Sequence, residues 1–459
     1  MKYLLILLLS LLSFILTVNA QNIDKIIQSK ANGNIYPKDI KTDSKNNIVV
    51  CGNFWANDFQ IDSLKLSTKG NLDIFLVKLD NKGNVIWGKS FGDQQEDNVT
   101  SLYIDKDDNI IITGSYFGDM IAFDNKYLYK TRDSWESDAY IAKFNSDGKL
   151  LWAFSFGNVN KEFGSQIIGD TEGNCYLFLM YNSTELNIGG NNLTNTGDSN
   201  LAIIKLNKLG KVLWANTTKG NSSIEINATN IDINNNIYFV GSFGKNSFNY
   251  ENTSLVSNGF RDIFILKIDV DGNVINSKSI GSKYNDYPRD IAIDSNKIII
   301  TGGFSDTLKV KDKSVEEKGG DDAFVLTIDK DSFEVIDLLR FGNIEEDYGQ
   351  SILKIGLDLF ISLNYKSKFL EINKKITNTN ENGWTYDAAF TNIKNKKFSP
   401  ITIGGTQNES IIKTIKNNQN QIIILGLTDS EKLNIQQSVI IENSIINKNN
   451  MFLLIGRLN

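Results

Sequence analysis

One phrase recurs along this chain, and its period restricts the folds available to it. "DIFLVKLDNKGNVIWGKSFG" at 73–92 returns as "DAYIAKFNSDGKLLWAFSFG" at 138–157 and as "DIFILKIDVDGNVINSKSIG" at 262–281. Each copy reads as two short strands around a tight turn whose Asn, Asp and Gly residues tolerate positive φ. The opening marker stands at Asp73, Asp138, Asn200, Asp262, Asp322, near Asp387 and at Asn450, a spacing of about 62 residues. A second marker alternates with it: "NIVVCG" at 47–52, "NIIITG" at 109–114, "NIYFVG" at 236–241 and "KIIITG" at 297–302. Weaker copies are "NCYLFLM", "DLFISL" and "QIIILG".

Each unit therefore holds four strands. Strand A is like "TSLYID" and turns into strand B, "IIITG". A loop of about twenty residues leads to strand C, "AYIAKF", and a second tight turn leads to strand D, "LLWAFSF". No helix signal appears after residue 20. One four-stranded unit cannot bury both faces, but units placed radially can, each packing on the next. The expected fold is all-β: a seven-bladed β-propeller with four antiparallel strands per blade.

The ends of the chain extend this reading. "NMFLLIGRLN" reads as a strand C with no strand D after it, and "IDKIIQSK" as a strand D with no C before it. Joined, they close the ring and leave no unpaired edge. The expected blades are 36–92, 97–157, 162–220, 225–281, 286–342, 347–405, and 409–459 completed by 21–31. In that register "YPKDIKTD" (36–43) and "YPRDIAID" (287–294) are near copies in different blades.

Residues 1–20, "MKYLLILLLSLLSFILTVNA", have a basic start, an apolar run and small residues at Val18 and Ala20. That is the pattern of a secretory signal peptide cut between Ala20 and Gln21. The expected location is periplasmic or extracellular, with no membrane insertion. The net charge of −6 argues against nucleic acid as a partner. The expected partner is a protein or a polysaccharide, and the expected state is a monomer. Cys51 and Cys175 fall two blades apart, too far for a disulfide, and read as small buried apolar residues. The chain has no histidine, which removes every Ser-His and Cys-His nucleophile pair and the commonest transition-metal ligand.

Two sets of residues are candidates for function. Five residues after the Gly that ends each strand D stands a carboxylate: Asp97, Glu162, Glu225, Asp286, Asp347 and Glu409. Ile35 replaces it in the remaining copy, and Glu225 is shifted by one relative to its strand. One reading brings these acids to the mouth of the central channel, where hard oxygen ligands would hold a cation. The other has each carboxylate accept backbone N–H bonds or pair with a strand C lysine, such as Lys78, Lys143, Lys205 or Lys267. No other cofactor is expected. Trp135 and Trp384 stand in B–C loops, off the repeat, where an aromatic ring can stack on a sugar or a partner side chain. Trp87, Trp152 and Trp214 share one repeat position and read as packing between blades. The acidic runs "DVDGN" and "DKDDN" lack the twelve-residue loop and terminal Glu of an EF-hand and fall where hairpin turns belong.

The repeat resembles that of the seven-bladed β-propeller repeat (SBBP) family of exported bacterial proteins. Asp73, Phe75, Lys78, Gly83, Trp87 and Gly92 follow the family's motif in order. So do Asp138, Tyr140, Lys143, Gly148, Trp152 and Gly157, and Asp262, Phe264, Lys267, Gly272 and Gly281. The last two units depart: "AAFTNIKNKKF" has no Trp and a different turn, and Ile455 replaces the Lys. The resemblance implies fold and export, and no agreed activity. Without a nucleophile motif, the expected role is a non-catalytic binding scaffold. The alternative is a carboxylate-based glycoside hydrolase or lyase, which needs no histidine.

Overall fold

Aspartate and asparagine side chains set the turns that the strands depend on. In the first C–D turn, Asp80 Oδ1 accepts the N–H groups of Lys82 (2.9 Å) and Asn84 (2.8 Å), with Gly83 at φ 77°. In an A–B turn, Asp105 Oδ1 takes the N–H groups of Asp107 and Asn109, both at 2.9 Å, with Asp108 at φ 60°. Asp269 does the same for Asp271 and Asn273. The first carboxylate of each run, Asp105 in "DKDDN" and Asp269 in "DVDGN", is thus occupied as a turn acceptor, and Asp108 accepts from Ser44 N and Oγ of the first sheet.

The computed structural model describes residues 22–132, 134–220, 222–244, 247–371, 375–377, 385–393, 400–435, 439–442 and 449–457. The signal segment expected over 1–20, and its cleavage point before Gln21, lie outside the described residues. Among those described there is no helix, so none is long and apolar enough to cross a membrane. The long strands form four-stranded antiparallel sheets in the spatial order A-B-C-D. The first sheet is Asn34–Thr42, Ile48–Trp55, Asp73–Leu79 and Val85–Phe91; the second is Asp97–Ile104, Ile110–Tyr116, Asp138–Phe144 and Leu150–Phe156. The third, fourth and fifth open with strands A at Glu162–Gly169, Ile224–Ile231 and Asp286–Ile293. In the sixth, Asp347–Ile355, Asp358–Tyr365, Asp387–Asn392 and Ile401–Gly404 are extended by the hairpin Lys432–Ile435 and Val439–Glu442. The seventh joins Glu409–Lys416, Gln421–Thr428 and Asn450–Arg457 to Asn22–Gln28, so segments from both ends of the chain share one sheet.

Apolar clusters fill the seams between successive sheets. Val49, Cys51, Ile74 and Leu76 of the first sheet meet Val99, Leu102, Ile110 and Ile112 of the second. Cys175 is buried one seam further on, and both thiols are free. The indole N–H groups of Trp87, Trp152 and Trp214 reach across seams to the carbonyls of Ser146, Lys208 and Val270, each at 3.2 Å. Those carbonyls lie in the C–D turn of the following sheet. The strand C lysines serve the same seams: Lys78 Nζ binds Asp43 at 2.9 Å and Ser146 O at 3.0 Å, and Lys143 binds Asp105 at 2.7 Å. The B–C segments, read from sequence as loops, instead carry short hairpins, such as Met120–Phe123 with Lys126–Tyr129. Their alternating Ile121, Phe123 and Leu128 are buried against the seam core.

Every strand A carries a β-bulge at the same place. The extra residues, with no cross-strand partner, are Lys38, Thr100, Ser165, Asn227, Arg289, Gln350 and Ile412. Beside each bulge, one residue of the A–B register pair is a glycine. Gly52 faces Pro37, Gly114 faces Val99, Gly241 faces Ile226, Gly302 faces Pro288 and Gly426 faces Ile411. In the third and sixth sheets the sides are exchanged, with Gly164 facing Leu179 and Gly349 facing Leu363. The cause is steric: a Cβ on Gly114 would stand 1.8 Å from Asn98 O, and one on Gly241 or Gly302 2.0 Å from a strand A carbonyl. On Gly164 and Gly349 it would meet Thr113 Oγ1 and Thr301 Oγ1 of the preceding sheet, both at 1.8 Å. Gly114→Ala should therefore destabilise the fold by about 3 kcal/mol or more, because backbone must move. Thermal unfolding checks this, and a variant melting within a degree of the parent would contradict it.

Candidate functional site

Asp97, Glu162, Asp286, Asp347 and Glu409 each open a strand A, and each is fully buried. The carboxylates of the first four hold the D–A connection. Asp97 accepts the N–H of Asp93 (2.7 Å), Glu162 that of Asn158 (2.9 Å) and Asp347 that of Asn343 (2.9 Å). Asp286 binds Ser282, and Glu409 accepts from Thr428 Oγ1 at 3.0 Å. Glu225 differs because strand A of its sheet opens one residue earlier, at Ile224. Its side chain is exposed and pairs with Arg261 at 3.3 Å. None of the six pairs with a strand C lysine among the described residues: Lys78 and Lys143 bind turn aspartates, Lys205 donates to Val270 O at 2.9 Å, and Lys267 stands over the Tyr238 ring.

Each buried acid has a second one beside it, the Asp that opens the preceding strand C. A single point above the Cα of Gly92 lies 2.6 Å from Asp73 Oδ1 and 2.9 Å from Asp97 Oδ2. Asp138, Asp262 and Asp322 crowd Gly157, Gly281 and Gly342 in the same way. Buried Oδ1 atoms of Asp73, Asp97, Asp138 and Asp322 have no hydrogen-bond partner. Burial, reinforced by the neighbouring acid, pushes Asp97 and Glu409 up to about 8 and Asp286 to about 7. Asp73 and Asp347 rise to about 6, again chiefly through burial. Asp97, Glu162, Asp286 and Asp347 thus act as acceptors within their own D–A turns, while Glu409 binds the end of strand B and Glu225 is exposed. Among the described residues no cluster of three or more acids or cysteines has metal-binding geometry.

The cavity enclosed by the strands A has a different lining. It measures about 410 Å³ and is faced by the bulge residues Lys38, Thr100, Asn227, Arg289, Gln350 and Ile412, with Lys41, Gln166, Thr229, Asn230 and Lys413. Its wall carboxylates are spent. Asp39 accepts from Lys41 Nζ (3.1 Å), Ile40 N (2.8 Å) and Leu102 N (3.0 Å). Asp290 accepts from Lys413 Nζ (2.6 Å), Ser351 Oγ (2.9 Å) and Ile352 N (3.0 Å). Burial opposes the Lys413 ammonium, but Asp290 and Asp39 outweigh it and raise its pKa. Sequence reasoning missed this lining. The signal was present in "YPKD" and "YPRD", which put a cation at equivalent bulges.

Trp135 lies between the B–C hairpin and strand C of the second sheet and is 97% exposed. Trp384 lies outside the described residues. A more organised aromatic surface is a groove of about 450 Å³ formed by Tyr36, Trp55, Asn71, Leu72 and Glu96. Trp55 ends strand B of the first sheet and is 58% exposed. A parallel bridge between Leu72 and Glu96 fixes the groove's far side. Trp55 is off the repeat, which is why the marker comparison passed over it.

No family model matches the chain. The uncharacterized WD repeat-containing protein L264 of Acanthamoeba polyphaga mimivirus is 25% identical over 212 residues, covering 38% of this chain. The chain spans only 15% of that relative's length. Among solved structures, the Dos1 propeller aligns over 94% of this chain and 95% of its own, with 9% identity and a TM-score of 0.46. The β-propeller domain of the trilobed protease from Pyrococcus furiosus aligns over 91% and 97%, with 10% identity and a TM-score of 0.43. Quinohemoprotein alcohol dehydrogenase from Comamonas testosteroni aligns over 96% and 78%, with 10% identity and a TM-score of 0.41. The chain's own sheets, of four antiparallel strands and packed one on the next, have the architecture of a β-propeller.

Proposed function

We propose that this chain is an exported, monomeric, non-catalytic binding scaffold of the SBBP type, a closed seven-bladed ring that presents one face to a polysaccharide. Closure is supported by the pairing of Asn22–Gln28 with Asn450–Arg457 and by contact of Glu409–Lys416 with Asn34–Thr42. The observation that carries the saccharide reading is the groove of Tyr36 and Trp55, where an exposed indole lies near an amide and a carboxylate. Flat apolar rings beside a few polar groups suit a sugar, which has apolar faces and a hydroxyl rim. The non-catalytic reading draws support from the acids. Those in the seams are buried, and the oxygens of Asp39 and Asp290 are each taken up by a lysine and backbone N–H groups.

A glycan array with the mature protein tests this reading. Saturable binding to a polysaccharide should weaken about tenfold or more in Trp55→Ala, as expected for losing an aromatic anchor. Trp135→Ala reports separately on the B–C loop. A screen without sugar binding, on protein whose melting is unchanged, would remove the saccharide from the proposal.

A further inference from the structure

The cavity lined by the bulges carries two cations that no carboxylate answers. Of its four basic side chains, Lys41 and Lys413 are paired with Asp39 and Asp290. Lys38 and Arg289 have no carboxylate partner among the described residues. Lys38 is solvent-accessible at the cavity surface, yet the surrounding wall desolvates its ammonium and lowers its pKa. Arg289 is held as a flat plate: its guanidinium carbon lies 4.0 Å from the Tyr348 ring centre and 5.3 Å from that of Tyr287. Nη1 makes a long contact to Gln350 Oε1 at 3.4 Å, and Nε is buried without any partner. A stacked guanidinium with unused donors is pre-oriented for a planar or tetrahedral oxyanion, which it binds through two parallel N–H groups.

We propose that this cavity is an anion site in which Lys38 and Arg289 together bind a small dianion of the phosphate or carboxylate type. The two residues occupy the same bulge position in the first and fifth sheets, so they project from the same level of the wall. Low-dielectric walls concentrate the field of the two uncompensated charges on the enclosed space. Asn227, at the same level, supplies a neutral amide N–H to the remaining oxygens, its Nδ2 being engaged only in a 3.4 Å contact with Glu225 Oε1. The site is separate from the aromatic groove, and one can fail without the other.

Isothermal titration calorimetry at low ionic strength, with inorganic phosphate and with citrate as separate probes, tests the site. Saturable binding of either, at about one per chain, is expected, and the probe that binds identifies the oxyanion class. Lys38→Gln and Arg289→Gln should each weaken it about tenfold, as for loss of a charge-assisted contact. The double variant should abolish it, and Trp55→Ala should leave it unchanged. Glutamine is compatible with the fold at this position, because Gln350 occupies the equivalent bulge natively. Melting temperatures of the variants without ligand should therefore match the parent, while phosphate or citrate should raise the parent's alone. Absence of binding by both probes would overturn the site. So would binding that survives the double variant, or that falls equally in Lys82→Gln on the outer surface.

Discussion

Deleting residues 22–31 should lower the melting temperature by about 5–10 °C and make the protein prone to aggregate. The segment supplies Ile27 to the core shared with the first sheet, while Ile23 and Ile26 pack on the opposite face of their sheet. Ser29 exchanges hydrogen bonds with Met451, and Lys25 reaches across to Gly83 O (3.3 Å) and Asn84 Oδ1 (2.9 Å) of the first sheet. Lys30–Ala31 then pairs with Phe59–Ile61. The loss is thus one strand and also a tie between two sheets. The strand left exposed, Asn450–Arg457, has a run of buried Met, Phe, Leu and Ile, and such an uncovered edge invites pairing with other chains. Differential scanning calorimetry and light scattering read both effects. A truncated protein that melts within a degree or two of the parent and stays monodisperse would refute the closed ring.

Stability should also fall as pH rises from about 5 to about 8.5. Asp97, Glu409, Asp286, Asp73 and Asp347 have folded pKa values raised above their ordinary range, so between the two values the folded state binds more protons than the unfolded one. Their contribution is complete below about pH 4 and is lost as pH passes through about 6 to 8. Each unit of upward shift is worth about 1.4 kcal/mol between protonation states, so five such groups place the total fall on the order of 10 °C. The opposite limb belongs to the turn aspartates. Burial works against Asp43 and Asp105, but Lys78, Lys143 and the turn N–H groups outweigh it and lower their pKa. That stability is present above about pH 4 and is lost as pH falls through their depressed values. A maximum near pH 4–5 follows. Asp97→Asn should raise the melting point at pH 8 and flatten the alkaline slope, since an amide oxygen still accepts the Asp93 N–H. A melting temperature that climbs from pH 5 to 8 would contradict the buried pairs.

The frame could be read from the sequence because its markers repeat. Asp at the head of strand C, Gly in the C–D turn and Trp in strand D each recur for a local reason, as turn acceptor, positive-φ corner or seam contact. The destination of Asp97 and its equivalents could not be read the same way. A spacing of five residues from a glycine does not say whether a carboxylate points toward an axis or folds back onto its own turn. The deciding clue was Asp73, a second acid repeated in step with the first. The B–C hairpins escaped notice because "MIAFDNKYLY" alternates over only four residues per strand, too short to stand out from a polar loop. The bulges escaped because one additional residue in strand A leaves the repeat length nearly unchanged.

Those bulges have an evolutionary corollary. The side chains of Lys38, Asn227, Arg289 and Gln350 belong to no seam core, whereas Thr100 and Ser165 bond Gly164 O and Ile226 O of the next sheet, Ile412 packs on a core, and the adjoining glycines are hemmed in sterically. Selection, or an engineer, can rewrite the chemistry of the bore one slot at a time while the scaffold around it stays fixed. The variety already found there, from amide through ammonium to guanidinium, is what positions outside the seam cores would accumulate.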